Sequence, residues 1–258
     1  MKHHGPPGFG PRAACATLAV AAACAADRVV AADAPELALE IGAAWQQRNE
    51  VQISNEPPNT RFALDEITGA GPFFGGRVAL DWPLSERQRL RFLIAPLRID
   101  EAGTIAAPVV FQGTNFAPGA ISAKYQFDSW RVSWRWRFHD STRWTWDAGA
   151  TLNVRNAEIR LTQGSLSSSK RDTGVVPLLA LEGQWHFAPR WRGVLDFEGL
   201  AAPQGRAIDV ALKVAWDATA RLSVNAGYRM LEGGADNDEL YTFARFDQAV
   251  IGVSWKIR

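Results

Sequence analysis

Cysteine is almost missing from this sequence: its two residues, Cys15 and Cys24, both fall within the first 24 positions. A chain that sheds that segment has no thiol, no disulfide and no cysteine ligand for a metal. Histidine is scarce too, and beyond residue 4 only His139 and His186 occur. No apolar run reaches the roughly 20 residues that cross a bilayer as a helix, and no long stretch repeats apolar residues at helical spacing. Charge of one sign is also lacking. The 28 basic and 27 acidic residues leave a net +1, which gives no support to a nucleic-acid partner. There is no glycine-rich phosphate loop between a strand and a helix, and no basic stripe with stacking aromatics.

The N-terminus carries Lys2 and Arg12, followed by AACATLAVAAACAA, a 14-residue apolar run over residues 13–26. Its length and flanks fit the hydrophobic region of a secretory signal, with cleavage after Ala32 and small residues at Val30 and Ala32. Cleavage after Ala34 is disfavoured by Pro35. A lipoprotein reading through Cys24 lacks the leucine usual three positions earlier. The chain therefore divides into a signal peptide at 1–32 and a single exported domain at 33–258. Removing residues 1–32 leaves 226 residues and a net charge of −1.

Within that domain, VSWRWRFHDSTRWTWDAGA (residues 132–150) sets the pattern. Val132, Trp134, Trp136 and Phe138 alternate with Arg131, Ser133, Arg135 and Arg137, then a polar turn follows and tryptophans return. Similar segments recur throughout. Short turns are read at 83–88, 139–143, 188–190 and 217–221. Longer connections are read at 49–71, 101–118, 163–174 and 232–240, with a shorter one at 201–206. Alternation of short and long connections predicts an up-and-down meander of about ten strands, all-β, with both termini at the short-turn end.

Nine of the eleven tryptophans gather at that end: Trp82, Trp134, Trp136, Trp144, Trp146, Trp185, Trp191, Trp216 and Trp255. A soluble core has no reason to collect indoles in one ring, whereas a bilayer interface does. At the other end Phe73, Phe74, Tyr125, Phe127, Tyr228, Tyr241 and Phe243 form an expected second belt. If the apolar face meets lipid, parity turns a charged set inward: Glu40, Arg77, Asp81, Arg91, Lys124, Arg131, Arg135, Arg137, Asp147, Glu182, Arg192, Asp196, Glu198, Asp209, Lys213 and Arg229. Arginine predominates over lysine, and its planar fork suits pairing with several carboxylates in a confined space. The outward set shifts from Tyr125 and Phe127 to Trp130 and Val132, which predicts a β-bulge at Asp128 and Ser129. Pro96 predicts another.

The last strand, AVIGVSWKIR, alternates Ala249, Ile251, Val253, Trp255 and Ile257 on one face. With the girdle and the alternation, it resembles bacterial outer-membrane β-barrel proteins over the whole chain after the signal, although members usually end in an aromatic residue and this chain ends in Arg258. The resemblance implies a closed transmembrane barrel in the outer membrane, partnered by outer-membrane lipid and lipopolysaccharide. It also implies a C-terminal strand recognised by the barrel-assembly machinery. It supplies no activity.

Barrel enzymes of that class place a histidine near the outer rim, and His139 and His186 both map to the turn end. The serines Ser165, Ser167, Ser168 and Ser169 then read as loop residues, and His186 with Glu182 is the one pair worth probing as catalytic. Glu232, Asp236, Asn237, Asp238 and Glu239 form an acidic loop that matches no calcium-binding spacing and reads as a solvated tip. No catalytic, metal or cofactor site is expected. The favoured reading is a non-enzymatic structural or surface-interaction barrel whose lumen is filled by Arg to Asp/Glu pairs. A narrow channel for small polar solutes, a lipid-active enzyme, and a soluble barrel with its tryptophans lining a ligand cavity are the alternatives.

Overall fold

The computed structural model describes residues 34–257; the expected signal segment lies outside the described residues. The elements are β1 (Glu36–Ile53), β2 (Phe62–Ala63), α1 (Asp65–Thr68), β3 (Phe73–Pro83), β4 (Gln88–Ala95), β5 (Arg98–Ile105), β6 (Val109–Phe111), β7 (Thr114–Phe116), β8 (Gly119–Asp140), β9 (Trp144–Gln163), β10 (Leu166–Ala188), β11 (Trp191–Ala202), β12 (Gly205–Asp217), β13 (Leu222–Asp236) and β14 (Leu240–Lys256). Each long strand pairs antiparallel with its neighbour, and β14 returns to β1 from Glu36↔Lys256 to Ile53↔Leu240, closing the sheet. With β4 and β5 as two parts of one strand, the barrel has ten strands, as the alternation predicts. Pairing of β14 with β1 closes the ring, the condition for crossing a bilayer with strands. Within it, among the described residues, the ladder is interrupted where β5 pairs with β8 and not with β3.

Parity decides the two faces. Leu152, Val175, Leu179, Leu212 and Ile251 are exposed on the outside, while Arg135, Asp147 and Asp209 are buried within. An apolar exterior around a charged interior is the inverse of a soluble barrel and is stable where lipid covers the outside.

Toward the outer end the relation inverts. Ile121, Ala123 and Tyr125 of β8, Ile159 and Leu161 of β9 and Phe246 of β14 point inward, where they join Leu64 just before α1, Ile67 of α1 and Phe111 and Phe116 of the β6/β7 hairpin in one apolar core. This plug caps the lumen. At about 1.5–3 kcal/mol per fully buried large apolar side chain, it adds substantially to stability. Gly103 lets α1 lie against β5, since a Cβ there would collide with the Ile67 carbonyl.

This inversion corrects several expectations. No bulge occurs at Asp128 and Ser129, because β8 and β9 keep one register from Ser122↔Thr162 to Arg137↔Asp147. Tyr125 and Phe127 share the inward parity of Arg131; the apparent slip marks where the interior changes from charged to apolar. Phe73, Tyr125 and Phe127 consequently belong to the plug or pack against it, while Phe74 and Tyr228 are exposed. The bulges lie instead between Gln46 and Arg48, Arg137 and His139, and His186 and Ala188.

Pro96 does not insert a residue either: Ala95↔Ser129 and Arg98↔Gln126 stand in one continuous register along β8. It interrupts the opposite edge, where β3 pairs with β4 only from Val78 to Pro83. Two of the supposed longer connections are tight turns, since β9 runs to Gln163 and β10 starts at Leu166, and β13 continues to Asp236, while the connection read as shorter at 201–206 is itself tight, β11 ending at Ala202 before Gly205. Their polar residues form ladders above the lipid-facing band, where neither strand face needs to be apolar.

Candidate functional site

The short turns stand at one end, and the tryptophans expected there form an exterior ring. Trp144 stacks on Trp146 at 6.0 Å and on Trp185 at 5.8 Å, and Trp185 meets Phe187 at 5.2 Å. Trp191 and Trp216 lie 6.2 Å apart on neighbouring strands. Trp82, Trp134, Trp136 and Trp255 are exposed around the rest of the ring. Gly183 makes room for one of these rings: a Cβ there would lie 2.5 Å from Trp146.

Inside, nine of the ten strands contribute to one connected ion-pair network. Arg229 bonds Asp209 at 2.5 Å and Glu40 at 2.9 Å, and Lys213 adds a 3.0 Å contact to Glu40. Arg77 reaches Asp209 at 3.2 Å, and Arg131 joins Asp209 at 2.8 Å to Glu198 at 2.7 Å. Arg135 continues the chain to Glu198 at 3.1 Å, Asp196 at 2.9 Å and Glu182 at 2.5 Å. Arg91 links Asp196, Glu182 and Asp81. Arg89 holds Asp81 and Glu182 together with Asp147, which also accepts from Arg137 at 3.2 Å.

Neutral side chains complete it, as Ser133 and Thr151 donate to Glu198 and Arg131 donates to Ser129. Eight cations and seven carboxylates are thus interlocked. Shared guanidinium forks, each serving two or three acids, offset the desolvation that such burial costs.

The structure brings together fourteen of the sixteen side chains expected in the lumen. Lys124 is the exception in direction: it shares the face of Trp130, pairs with Glu158 at 2.8 Å and lies on the outer wall. Arg192 turns inward but stands apart, bound to Asp217 near the inner mouth. Sequence reasoning missed Arg89, which is half-buried among three carboxylates. Its parity with Arg91, two positions on, was the available signal.

Several spaces border this network. At the inner mouth a cup of about 420 Å³ is floored by Arg89, Arg91 and Glu182 and flanked by His186, Arg192 and Lys256. A void of about 60 Å³ lies inside the network beside Arg135, Asp196 and Lys213, and one of about 40 Å³ separates it from the plug at Phe127, Leu231 and Phe246. His186 and Glu182 share the cup, but His186 is exposed and makes no side-chain hydrogen bond among the described residues. Among the described residues no three His, Asp or Glu side chains are grouped to hold a metal. Glu232 is bound by Arg206 and Asp236 accepts from Asn55, so the acidic segment at 232–240 does not converge on one point.

No family model and no curated protein matches the sequence. Among solved structures, the outer-membrane protease OmpT of Escherichia coli is similar with a TM-score of 0.53 at 8% identity, over 89% of this chain and 99% of that one. Neisserial surface protein A aligns over 88% of this chain and 100% of its own at 12% identity and TM-score 0.39. The attachment invasion locus protein Ail of Yersinia pestis does so over 86% and 98% at 8% identity and TM-score 0.38. Such identities carry the fold and not the chemistry. With its closed meander, apolar exterior and aromatic ring, this chain has the fold of bacterial outer-membrane β-barrel proteins.

Proposed function

We propose that the chain is an integral outer-membrane barrel with a structural or surface-interaction role and no catalytic activity. The observation that carries this reading is the doubly closed lumen. The ion-pair network fills the middle of the barrel from nine strands, and the apolar plug built on Phe111, Phe116 and Phe246 stops its outer end. Neither barrier leaves a void larger than about 60 Å³, room for about two waters at about 30 Å³ each. Both histidines that could serve as general acid or base stand at the inner end, away from the outer loops.

In this reading export through a cleaved signal brings the chain to the outer membrane. The assembly machinery there engages β14, whose Ile251, Val253 and Trp255 face outward beside β1. The charged lumen also motivates a second reading, a narrow conduit for small polar solutes, because the inner cup opens onto charged side chains.

Planar-bilayer recording on the purified mature chain separates the two. The closed barrel is expected to give no steady current, and a reproducible ohmic conductance would replace it with the conduit. Cell fractionation followed by gel mobility with and without boiling tests the membrane assignment. Recovery as a soluble periplasmic protein would overturn it.

A further inference from the structure

Above the lipid-facing band the barrel wall is uneven in height. β11 turns into β12 between Ala202 and Gly205, whereas β9 and β10 continue together to Gln163 and Leu166. The ladder between β10 and β11 starts only at Leu179↔Gly199. Leu166 to Leu178 therefore pair with β9 on one side and, among the described residues, with no strand on the other. That free stretch is about twice as long as an ordinary strand of roughly 5–6 residues. It carries no bulge, because its register with β9 is unbroken from Leu166↔Gln163 to Trp185↔Trp144. Proteins ordinarily shorten, bend or cover such an edge.

One hydrogen bond fixes the direction of the backbone groups along this edge. The His186 N–H donates to the Arg143 carbonyl at 2.8 Å, directly across the register of β9 and β10. Antiparallel pairing alternates, so even-numbered residues of β10 bond β9 and odd-numbered ones turn their N–H and C=O groups away. Ser167, Ser169, Arg171 and Thr173 thus present free donors and acceptors about 6.7 Å apart, the repeat of a strand template. Pro177, which has no N–H to give, stands at the foot of the same edge, just beyond the last pair with β11. Both faces of the stretch already hold contacts. Ser168 donates to the Phe111 carbonyl of the plug at 3.3 Å, and Arg171 meets Glu158 at 3.1 Å on the outside. The edge itself is open.

We propose that this edge of β10 takes up an extended, acidic segment of another protein as an added strand. The inference deepens the surface-interaction reading above and rests on it. Unpaired backbone groups in strand geometry select an extended polypeptide, since it offers donors and acceptors at the same repeat. Charge selects an acidic one. From Arg155 to Thr173, β9 and β10 carry Arg155, Arg160, Lys170 and Arg171 against Glu158 and Asp172. Asp172 is held by Arg155 at 2.5 Å and Glu158 by both Arg160 and Arg171, while Lys170 has no ion pair among the described residues. A second copy of the chain fits less well, because its own β10 edge carries the same positive excess and would repel.

The test uses the mature chain refolded in zwitterionic detergent micelles, with a boiling-dependent gel shift confirmed first. A wild-type chain lacking that shift would overturn the barrel reading and this inference with it, whereas failure of the peptide to bind the shifted form would overturn this inference alone. The probe is a fluorescein-labelled peptide of about nine residues alternating threonine and glutamate, long enough to span the edge from Ser167 to Thr173. Its binding is followed by anisotropy. The comparisons are the same peptide methylated on adjacent central backbone nitrogens, which blocks either of its edges, and a peptide with lysine in place of glutamate. Both are expected to bind at least about tenfold more weakly, since one lacks the donors and the other the charge.

Hydrogen exchange locates the added strand. The amides of Ser167, Ser169, Arg171 and Thr173 should slow when the peptide binds, while those of Ser168 and Lys170, already bonded to β9, should not change. Ser169→Pro with Thr173→Pro removes edge donors and no bond to β9, and should weaken binding about tenfold. Should that variant lose the gel shift, Lys170→Glu, altered at a half-buried side chain, is expected to weaken binding about threefold. Equal binding of the methylated peptide, protection at other amides, or undiminished binding by a folded variant would each overturn the proposal. Slowed exchange at the same four amides in self-associated wild type without peptide would overturn the acidic partner and assign the edge to a second copy.

Discussion

Arg131 and Asp209, 78 positions apart on β8 and β12, meet at 2.8 Å across the middle of the barrel, and each side chain is only 3% exposed. Breaking such a pair from one side strands the other charge. Arg131→Ala is expected to lower the unfolding free energy by about 3–5 kcal/mol, read from urea titration in detergent or lipid. Arg131→Met with Asp209→Leu should cost less than the two single changes combined. Additive losses would show that the pair is not coupled.

The plug is a second, separate barrier. Phe111→Ala and Phe116→Ala are each expected to destabilise by about 3–5 kcal/mol, because both side chains are fully buried. Bilayer recordings on either variant should still show no steady current, since the ion-pair network below is untouched. Channel openings in the Phe111 variant alone would show that the plug is the sole barrier.

The Trp146 ring lies over Gly183 on the lipid-facing surface. Gly183→Val should push it off the wall, with a loss of about 1–3 kcal/mol, the usual range for overpacking. A lowered temperature for loss of the unboiled gel band, with an altered tryptophan emission spectrum, checks this. An unchanged spectrum and temperature would mean that the ring is not held there.

The interruption at Pro96 leaves Phe73 to Arg77 without a ladder toward β5 among the described residues, while Val78 to Pro83 pair with β4. Successive amides of β3 point alternately to β1 and away from it, so amide hydrogen exchange in micelles is expected to be faster at whichever of Gly75 and Gly76 points away from β1 than at Ala79 and Leu80. Equal protection along β3 would indicate that this edge is covered.

Much of the architecture follows from the order of residues. Where lipid covers one face, apolar side chains must point outward and charges inward, so the alternation in RVSWRWRF is enough to assign Arg131, Arg135 and Arg137 to the lumen. The tryptophans beside the turns likewise locate the inner interface, because an indole favours the headgroup level wherever the chain crosses it. Strand number and the location of both termini follow from the same pattern.

Tertiary structure decided the rest, because the rule linking hydrophobicity to direction ends at the edge of the bilayer. Above it, water meets the outer wall and the plug fills the interior, so Tyr125 points inward and Lys124 outward, the reverse of what lipid would impose. Parity tells which face a side chain takes but not which strand lies across the lumen. Only closure of β14 onto β1 brings Glu40 to Arg229 and Arg131 to Asp209.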